Sequence, residues 1–459
     1  MELHHALRLN LHPAHPDVLA IVGGGGKSST VFRIGLDLAA AGYRAVITHT
    51  ARIAAFQTAW SPAVVEMAAD ADSLPLAQIA AALDAHRLCL LTGPTVADRR
   101  AGLPPQLIDS LARAAPELHL HAVSVEADGS KMRPAKAPAE HEPVLPDSTT
   151  ILVPMLGLDA VGAEISDRLF HRAELVREVL ALPAGPLRFT PQMAADLLLH
   201  AAGGAKARPP AARMLPILNK ADHPLRLLYG RLAAAPLARR GQPALLSAVG
   251  RAESEPVCER WGEIAAVILA AGASTRLGRP KQIEPVAGTP MLLRSLAAAA
   301  GLGGPVYVVT GAHSELVLAL LAQLPTELAG SLAGRLHVVH NPHWETGQAS
   351  SLHASVHALP AAVEAAIWLP VDQPYLDAAL LRRLAWAWRR GADLAAPVAD
   401  GEMRGAPALF DRRRWPALLQ VEGDTGGRAV LRRFAGEVVT VPAAAATLRD
   451  IDYPDDLSG

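Results

Sequence analysis

The sequence predicts two α/β domains in tandem, a P-loop-type parallel-sheet domain followed by a Rossmann-like domain. Short apolar runs alternate with helical patterns along the chain, as expected when strands and helices alternate around parallel sheets. Two of these runs, near residues 20 and 268, open directly into loops of small residues. The 459-residue chain is also longer than one hydrophobic core normally supports.

The division into domains follows local composition. We assign residues 1–250 to a P-loop nucleotide-binding domain and residues 263–459 to the Rossmann-like domain. Residues 251–262 mix charged residues with proline and glycine, which is typical of a linker.

Composition excludes several classes of partner. The formal net charge of −1 provides no electrostatic footprint for nucleic acid or an anionic membrane. Cys89 and Cys258, the only cysteines, are too few for a disulfide framework and have the wrong spacing for a zinc cluster, so both are expected to be buried apolar residues. The sequence has no apolar run of membrane-spanning length and no secretory pattern at its start. We therefore expect a cytoplasmic protein with no nucleic-acid or membrane partner.

The stretch AVILAAGASTRLGRPKQ, residues 266–282, carries the clearest chemistry. Its first apolar residues predict a buried strand, which stops at small residues that let backbone N–H groups approach a ligand closely. Arg276 and Lys281 follow, as cations suited to neutralising a triphosphate. The loop therefore predicts a nucleoside triphosphate site whose binding residues include Leu269, Ala270, Ala271 and Gly272.

The pattern LAAG-x-S-x-R-x-G-x-x-K resembles the signature of the MobA-like nucleotidyltransferases, and particularly of the molybdenum cofactor cytidylyltransferases. The resemblance covers roughly residues 262–459. It implies transfer of CMP from CTP to molybdopterin-bound molybdenum, with Mg²⁺ as cofactor and pyrophosphate as leaving group. CTP is favoured over GTP because guanylyl-transferring relatives usually have LAGG where this chain has LAAG.

Later motifs extend the same resemblance. Ser351 lies in a G-x-x-x-S-L motif that contacts the nucleotide in the family, although a helix N-cap would use the same residue type. Asp372 follows an apolar strand in P-V-D-Q-P, and Asp452 lies in D-I-D-Y-P-D-D-L. Asp455 and Asp456 of the latter motif are expected to start the terminal helix. The resemblance assigns both carboxylates to magnesium, and it makes Arg276, Lys281 and Asp372 the catalytic residues. Ala406 stands where the family commonly has a histidine, which affects the acceptor side.

A second glycine loop lies near the start of the chain. Residues 17–22 predict a strand, followed by GGGGKSST and a helical pattern, which is the order of a phosphate-binding loop. Lys27 would reach the terminal phosphates, and Ser28 would bind magnesium. Ile21 replaces the first glycine of the full Walker pattern, so a plain glycine turn is the alternative. The candidate phosphate-binding residues are Gly23, Gly25, Gly26, Lys27 and Ser28.

Two more motifs follow predicted strands in this half of the chain. Glu126 and Asp128 come after an apolar run, where carboxylates commonly hold magnesium near a γ-phosphate. Lys131, Arg133 and Lys136 come next, as a second anion site or as solvated charge. Asn219, Lys220 and Asp222 form an N-K-x-D sequence after a strand predicted over residues 214–218, which indicates a purine nucleotide, GTP or ATP.

GGGGKSS, VEADGS-K-x-R-x-x-KAPAEHEPV and LNKAD together resemble the selenium-dependent hydroxylase accessory (YqeC-like) family over about residues 10–250. The resemblance implies a molybdenum hydroxylase as client. The reaction of this half stays open, since a kinase, a switch GTPase and a cofactor carrier all fit these motifs.

Three functions follow for the whole chain. The favoured one is a fusion of two cofactor-maturation modules with a cytidylyltransferase at the C-terminal end. A nucleotidyltransferase acting on a sugar phosphate or another small acceptor uses the same loop and aspartate. A nucleotide switch that delivers a cofactor belongs to a different class, but Arg276, Lys281, Asp372 and Asp452 are the residues that an active transferase needs.

Overall fold

The computed structural model describes residues 1–250 and 255–458. The chain divides into two compact units, Met1–Trp261 and Gly262–Gly459, and each is described by itself. Both are α/β units, as the sequence predicts.

The first unit is built on a ten-stranded sheet. Its strands are β1 (Asp17–Gly23), β2 (Ala45–His49), β3 (Val64–Glu66), β4 (Leu88–Thr92), β5 (Ala122–Glu126), β6 (Ile151–Gly157), β7 (Arg213–Met214), β8 (Ile217–Asn219), β9 (Ala244–Ser247) and β10 (Val257–Trp261). The spatial order is β10-β9-β8-β6-β1-β5-β2-β4-β3, with β7 beside β6. All pairs are parallel except β9 with β10.

This topology positions the first candidate site. Strand β1 lies between β5 and β6, and all three are buried along most of their length. Because the pairs are parallel, the carboxyl ends of β1, β5, β6 and β8 meet at one edge of the sheet, where open α/β sheets bind ligands. The glycine loop and the carboxylates after β5 therefore lie on the same edge.

Helices cover both faces of this sheet. They are Leu3–Ala6, Lys27–Ala40, Leu76–His86, Pro105–Arg113, Ala115–Leu118, Ala173–Val179, Pro191–Leu199 and Pro224–Arg239, with 3₁₀ turns at Ala55–Trp60 and Leu158–Ala160. Short two-residue strands occur at Ile53–Ala54, Thr95–Val96, Arg99–Arg100, Ala135–Lys136 and Phe170–His171.

Cys89 is buried in β4, and this burial raises the pKa of its thiol to about 12. Cys258 is only half-buried.

The second unit has an eight-stranded sheet. Its strands are β11 (Glu263–Ala270), β12 (Val306–Thr310), β13 (Leu336–His340), β14 (Val363–Pro370), β15 (Leu394–Ala399), β16 (Glu402–Met403), β17 (Ala408–Asp411) and β18 (Val438–Pro442). The order is β13-β12-β11-β14-β17-β15-β16, with β18 beside β15. A small hairpin pairs Pro285–Val286 with Thr289–Pro290.

The sheet of the second unit is mixed, whereas the alternation of strands and helices predicted a parallel sheet. Strands β11 to β14 are parallel to one another, but β17 pairs antiparallel with both β14 and β15. The reason is local: β15, β16 and β17 follow one another within 18 residues, Leu394–Asp411, and no helix carries the chain back between them. Such short returns produce antiparallel pairs.

The helices of the second unit are Met291–Ala300, Ser314–Leu321, Thr326–Leu332, Gln348–Ala358, Ala378–Arg389, Trp415–Leu418 and Arg428–Arg433. Its 3₁₀ turns are Lys281–Ile283, Trp344–Thr346, Arg412–Arg414, Ala435–Glu437, Ala445–Leu448 and Pro454–Ser458. Within the described ranges no single helix is long and apolar enough to cross a membrane; the bent pair Ser314–Leu321 and Thr326–Leu332 passes that test only when taken together.

Three local expectations need correction. The strand predicted over residues 214–218 is interrupted, because Pro216 has no N–H for the ladder and β8 begins at Ile217. The terminal helix predicted at residue 455 is a 3₁₀ turn, Pro454–Ser458. The linker predicted at 251–262 is shorter, since residues 257–261 form β10 of the first sheet; residues 251–254 lie outside the described residues.

Strand β10 was mistaken for linker because its charges are paired by residues that are distant in sequence. Glu259 is fully buried and accepts hydrogen bonds from Arg231 at 2.6 Å and from the indole of Trp261 at 3.0 Å. A buried carboxylate is tolerated when such partners satisfy it.

Candidate functional site

The second unit contains an open cleft at the carboxyl end of its parallel strands. Its volume is about 330 Å³, within the range of small-molecule sites. The loop after β11, the end of β14 and the start of helix Gln348–Ala358 supply its walls. The lining residues are Leu269, Ala271, Gly272, Ala273, Ser274, Lys281, Gln282, Trp344, Glu345, Gly347, Gln348, Ser351, Pro370, Val371, Asp372 and Asp424.

The charged residues predicted for this site converge. Lys281 Nζ lies 3.1 Å from Asp372 Oδ2 and 2.5 Å from Asp452 Oδ1, although these residues are far apart in sequence. Arg276, which is largely exposed, lies 3.6 Å from Asp452 Oδ2. Burial alone would lower the pKa of Lys281, but the adjacent carboxylates of Asp372 and Asp452 raise it overall. Lys281 is therefore a fixed cation at neutral pH.

Contacts of the C-terminal segment bring Asp452 to the cleft. The amide of Ile451 donates to the Asp372 carbonyl at 2.9 Å, and Gln373 Nε2 donates to Asp450 Oδ1 at 3.0 Å. Burial, together with nearby Asp372 and Asp452, raises the pKa of Asp450. The carboxylates of this segment thus lie beside the end of β14.

Helix Gln348–Ala358 presents Ser351 to the cleft through contacts that the sequence did not reveal. Asn341 is buried just after β13, and its Nδ2 donates to Ser350 Oγ at 2.8 Å and Ser351 Oγ at 3.0 Å. The Ser351 oxygen is thereby held as an acceptor, which leaves its proton for a ligand. The available signal was a polar residue directly after a predicted strand.

Gly347 directly precedes this helix, at a position where no side chain fits. Its φ is +110°, and a Cβ there would lie 2.5 Å from the Gly423 carbonyl oxygen. The helix start and the 423–424 loop are therefore in direct backbone contact.

Two carboxylates, Asp372 and Asp452, fit the predicted divalent cation. Both already converge on one positive charge, the ammonium of Lys281. Carboxylate oxygens are the usual protein ligands of Mg²⁺, which often binds one or two of them together with substrate phosphates. Within residues 1–250 and 255–458 no group of three or more His, Cys, Asp or Glu side chains forms a metal site, so the remaining ligands would come from substrate and water.

The glycine loop of the first unit has the backbone expected of its residues. Gly23, Gly25 and Gly26 have φ values of +94°, +82° and +121°, which only glycine adopts without strain. A Cβ on Gly25 would lie 2.2 Å from the Gly157 amide nitrogen. The loop is packed against the end of β6.

The carboxylate of Asp128 lies in this glycine loop and is bound there by donors of the protein itself. The amide of Gly23 donates to Asp128 Oδ1 at 3.1 Å and Oδ2 at 3.0 Å. Lys27 Nζ lies 3.3 Å from Oδ1 and Lys136 Nζ lies 3.0 Å from Oδ2. The amides of Gly24 and Gly25 donate to the carbonyls of Met155 and Arg133. The first amides of the loop are therefore already paired.

The other predicted residues surround this carboxylate. Lys27 Nζ donates to the Gly23 carbonyl at 2.7 Å, and Ser28 Oγ donates to Glu126 Oε2 at 2.7 Å. Burial raises the pKa of Glu126, against the opposing effect of Lys27. The structure brings Lys27, Ser28, Glu126 and Asp128 together, but in contact with one another.

Lys136 belongs to this buried network, so the solvated alternative of the two that the sequence offered is wrong for this residue. It is 5% exposed and donates to Glu142 Oε2 at 2.6 Å, which also accepts from Arg172 at 2.7 Å. Burial would raise the pKa of Glu142, but the two hydrogen-bonded cations lower it to about 2.

A cavity of about 20 Å³ remains beside Gly23, Asp128 and Lys136, which is room for roughly one water.

The three residues predicted from the N-K-x-D sequence each lie in a different environment. Asn219 Nδ2 donates to the Gly25 carbonyl at 2.8 Å, which ties β8 to the glycine loop. Lys220 pairs with Asp159 at 2.6 Å, and Asp222 pairs with Arg226 at 2.9 Å in the next helix. Asn219 is thus the member of this sequence that contacts the loop itself.

Comparison with known proteins gives matches to each unit. The family model of the MobA-like NTP transferase domain matches residues 266–438, and that of the YqeC protein matches residues 19–174. The uncharacterized protein YqeC of Escherichia coli (strain K12) is 30% identical over 206 residues, covering 45% of this chain and 76% of that protein.

Solved structures also match. Rv0371c from Mycobacterium tuberculosis H37Rv is 24% identical with a TM-score of 0.36, over 43% of this chain and 96% of that chain. A structure of Rv0371C in complex with manganese is 22% identical with a TM-score of 0.35, over 43% of this chain and 96% of that one.

Proposed function

We propose a function for a chain that belongs to the YqeC family in its first unit and carries a MobA-like NTP transferase domain in its second unit. The second unit transfers CMP from CTP to molybdopterin-bound molybdenum and releases pyrophosphate. The observation that supports transfer is the meeting of the LAAG loop, Lys281, Asp372 and Asp452 around one open cleft.

The residues of the cleft suit this reaction by charge. Joining two anionic groups at phosphorus is opposed mainly by electrostatic repulsion, so positioning and neutralisation lower the barrier. Arg276 and Lys281 neutralise the leaving pyrophosphate, and Ser351 donates to the nucleotide. Asp372 and Asp452 would hold Mg²⁺, which would supply positive charge in the cleft. No covalent nucleophile is needed.

The choice of nucleotide and acceptor rests on the sequence motifs. LAAG, G-x-x-x-S-L and D-I-D-x-P-x-D-L together resemble the cytidylyltransferase branch of the family. They support CTP as donor and molybdopterin-bound molybdenum as acceptor, the latter a substrate and not a resident cofactor.

For the first unit we propose nucleotide binding, GTP or ATP, in the maturation of a molybdenum hydroxylase client. The strand, glycine loop and helix order supports it, as does the position of Lys27 and Ser28 at the helix start. Binding of a phosphate at Gly23 requires that Asp128 leave its present contacts.

Pyrophosphate release by the purified full chain tests the proposal for the second unit. The protein is supplied with Mg²⁺ and with CTP, GTP, ATP or UTP, each with and without molybdenum cofactor. We expect release with CTP only, dependent on the cofactor. Release that requires a sugar phosphate in place of the cofactor would establish the small-acceptor transferase instead.

The absence of release with every nucleotide and acceptor would contradict a transferase and favour a nucleotide-switch protein that delivers the cofactor. The Arg276→Ala variant serves as an internal check, since loss of its charge should weaken release without altering the fold; its side chain is 67% exposed.

A further inference from the structure

We propose that Gln282 is a positioning residue that turns the carbonyl oxygens of the cleft loop away from the ligand, so that this loop presents N–H donors to a triphosphate. The inference rests on the proposed binding of a nucleoside triphosphate in the second unit. It assigns a role to a side chain that the reaction itself does not use.

The contacts of Gln282 are specific to a primary amide. Its Nε2 donates to the Ala270 carbonyl at 2.8 Å and to the Gly272 carbonyl at 3.0 Å. The side chain is 1% exposed. Among residues of this size only glutamine offers two N–H donors from one atom without a charge, so it can bridge two carbonyls of one loop.

The two remaining carbonyls of the loop are held by the segment after β12. The amide of Ala312 donates to the Ala271 carbonyl at 3.0 Å, and the His313 ring contacts the Ala273 carbonyl through Nε2 at 3.1 Å. Four consecutive carbonyl oxygens, residues 270–273, thus have partners within the protein.

The backbone N–H groups of the same loop differ from its carbonyls in their hydrogen bonding. Within the described part of the chain, the N–H groups of Gly272, Ala273 and Ser274 have no acceptor. These residues line the cleft. Because a peptide unit is planar, fixing its carbonyl also fixes the direction of its N–H. A loop with sequestered carbonyls and unpaired amides is preorganised for an anion.

Stability alone does not explain a glutamine at this position. With Nε2 facing two carbonyls, Oε1 is directed the other way, and it is buried without a partner among the described residues. A buried, unsatisfied acceptor destabilises the fold, and an apolar residue of similar size would avoid it. Such a cost is tolerated where the arrangement serves a site.

Calorimetric binding to the full chain tests the role of Gln282. The ligands are inorganic tripolyphosphate, CTP and cytidine, and the variant is Gln282→Leu, with Gln282→Met as a second variant of similar shape. We expect the affinities for CTP and tripolyphosphate to fall roughly 10- to 100-fold, as for a displaced positioning group, while cytidine binding stays unchanged. Gln323→Leu, at an exposed position, should match the wild type.

Each contrary outcome has a distinct meaning. Equal CTP affinity in wild type and Gln282→Leu would overturn the inference and leave the proposed function intact. An equal loss for cytidine would overturn it too, since the defect would then extend beyond the phosphate loop, as would failure of both variants to fold. A wild-type protein that binds neither CTP nor tripolyphosphate would overturn the proposed function and the inference together.

Discussion

The two glycine-containing loops of this chain follow similar buried strands, but one is filled by a protein side chain and the other borders an open cleft. Each follows a buried strand at the centre of a largely parallel region, β1 in the first unit and β11 in the second. In the first unit the carboxylate of Asp128 fills the loop, and only about 20 Å³ remains beside it. In the second unit the loop borders a cleft of about 330 Å³.

The difference lies in what neutralises the lysine of each site. Lys27 is 3% exposed and shares Asp128 with Lys136, so the loop contains its own anion. Lys281 pairs with two carboxylates, but the amides of Gly272, Ala273 and Ser274 in its loop have no acceptor in the described chain. A phosphate must therefore displace a protein group in the first unit, whereas it meets unpaired donors in the second.

The largest expected effect concerns the internal anion. Replacing Asp128 by Asn removes the charge that Lys27 and Lys136 share, and should cost the first unit about 3 kcal/mol, the lower end for a broken buried pair because Lys136 keeps Glu142. Hydrogen exchange of β1 and β5 amides in the full chain measures this loss.

Asp222→Asn is the matched control for Asp128, since its ion pair with Arg226 is exposed and should contribute less than about 1 kcal/mol. Added inorganic phosphate should protect the Asp128→Asn variant more than the wild type. Equal protection of both proteins would show that Asp128 does not occupy an anion site.

The next effect concerns catalysis in the open cleft. Asp372→Asn keeps the shape of the side chain but halves the carboxylate charge facing Lys281, and we expect pyrophosphate release to fall roughly 10²- to 10³-fold with thermal stability retained. Asp400→Asn, at an exposed turn of the same unit, should behave as wild type. Undiminished turnover of Asp372→Asn would refute its assignment to the metal and the reaction.

A smaller effect is expected at Ser351. Ser351→Ala removes one hydroxyl that Asn341 orients, so the KM for the nucleotide should rise roughly tenfold, the value of one hydrogen bond. Asn341→Ala should give a similar rise, because the hydroxyl is then no longer held. Ser331→Ala, an exposed helix serine, provides the comparison in steady-state kinetics. An unaltered KM in both cleft variants would contradict a contact between the Ser351 hydroxyl and the nucleotide; capping would not explain the serine either, because Gly347 is the N-cap of this helix.

The smallest effect is a pH dependence of the first unit. The pKa of Glu142 is lowered from 4.5 to about 2 in the folded protein, so its contribution to stability is present above pH about 4.5 and is lost as pH falls through that interval. In a plot of unfolding temperature against pH, Glu142→Gln should therefore flatten the acid limb, so that the unfolding temperature falls by a few degrees less than in the wild type. Glu140→Gln should keep the wild-type limb. An identical limb in both variants would contradict this linkage.

Sequence reasoning was most successful where a signal is contained in one segment. The strand expected at residues 17–22 is β1, Asp17–Gly23, and the strand predicted at the start of residues 266–282 belongs to β11, Glu263–Ala270. Two α/β units and the membership of each in its family were also predicted from contiguous motifs and are confirmed.

It failed where contacts between distant segments decide the outcome. Strand β10 looked like linker because Glu259 meets Arg231 only in the fold. The sequence left Lys136 either in a second anion site or as solvated charge, whereas in the fold it is buried against Asp128. Asn341 belonged to no motif, and its importance comes from hydrogen bonds to two serines nine and ten residues later in the chain.

The sequence by itself determined the two units, the glycine-containing loops that follow their strands and the residue types of each candidate site, because strand propensity, glycine conformation and charge are properties of short segments. The tertiary structure decided which loop is filled and which is open. Asp128 enters one loop because β5 lies beside β1, and Gln282 holds the carbonyls of the other because the chain turns back beneath it. Those are consequences of packing between segments, which no local pattern encodes.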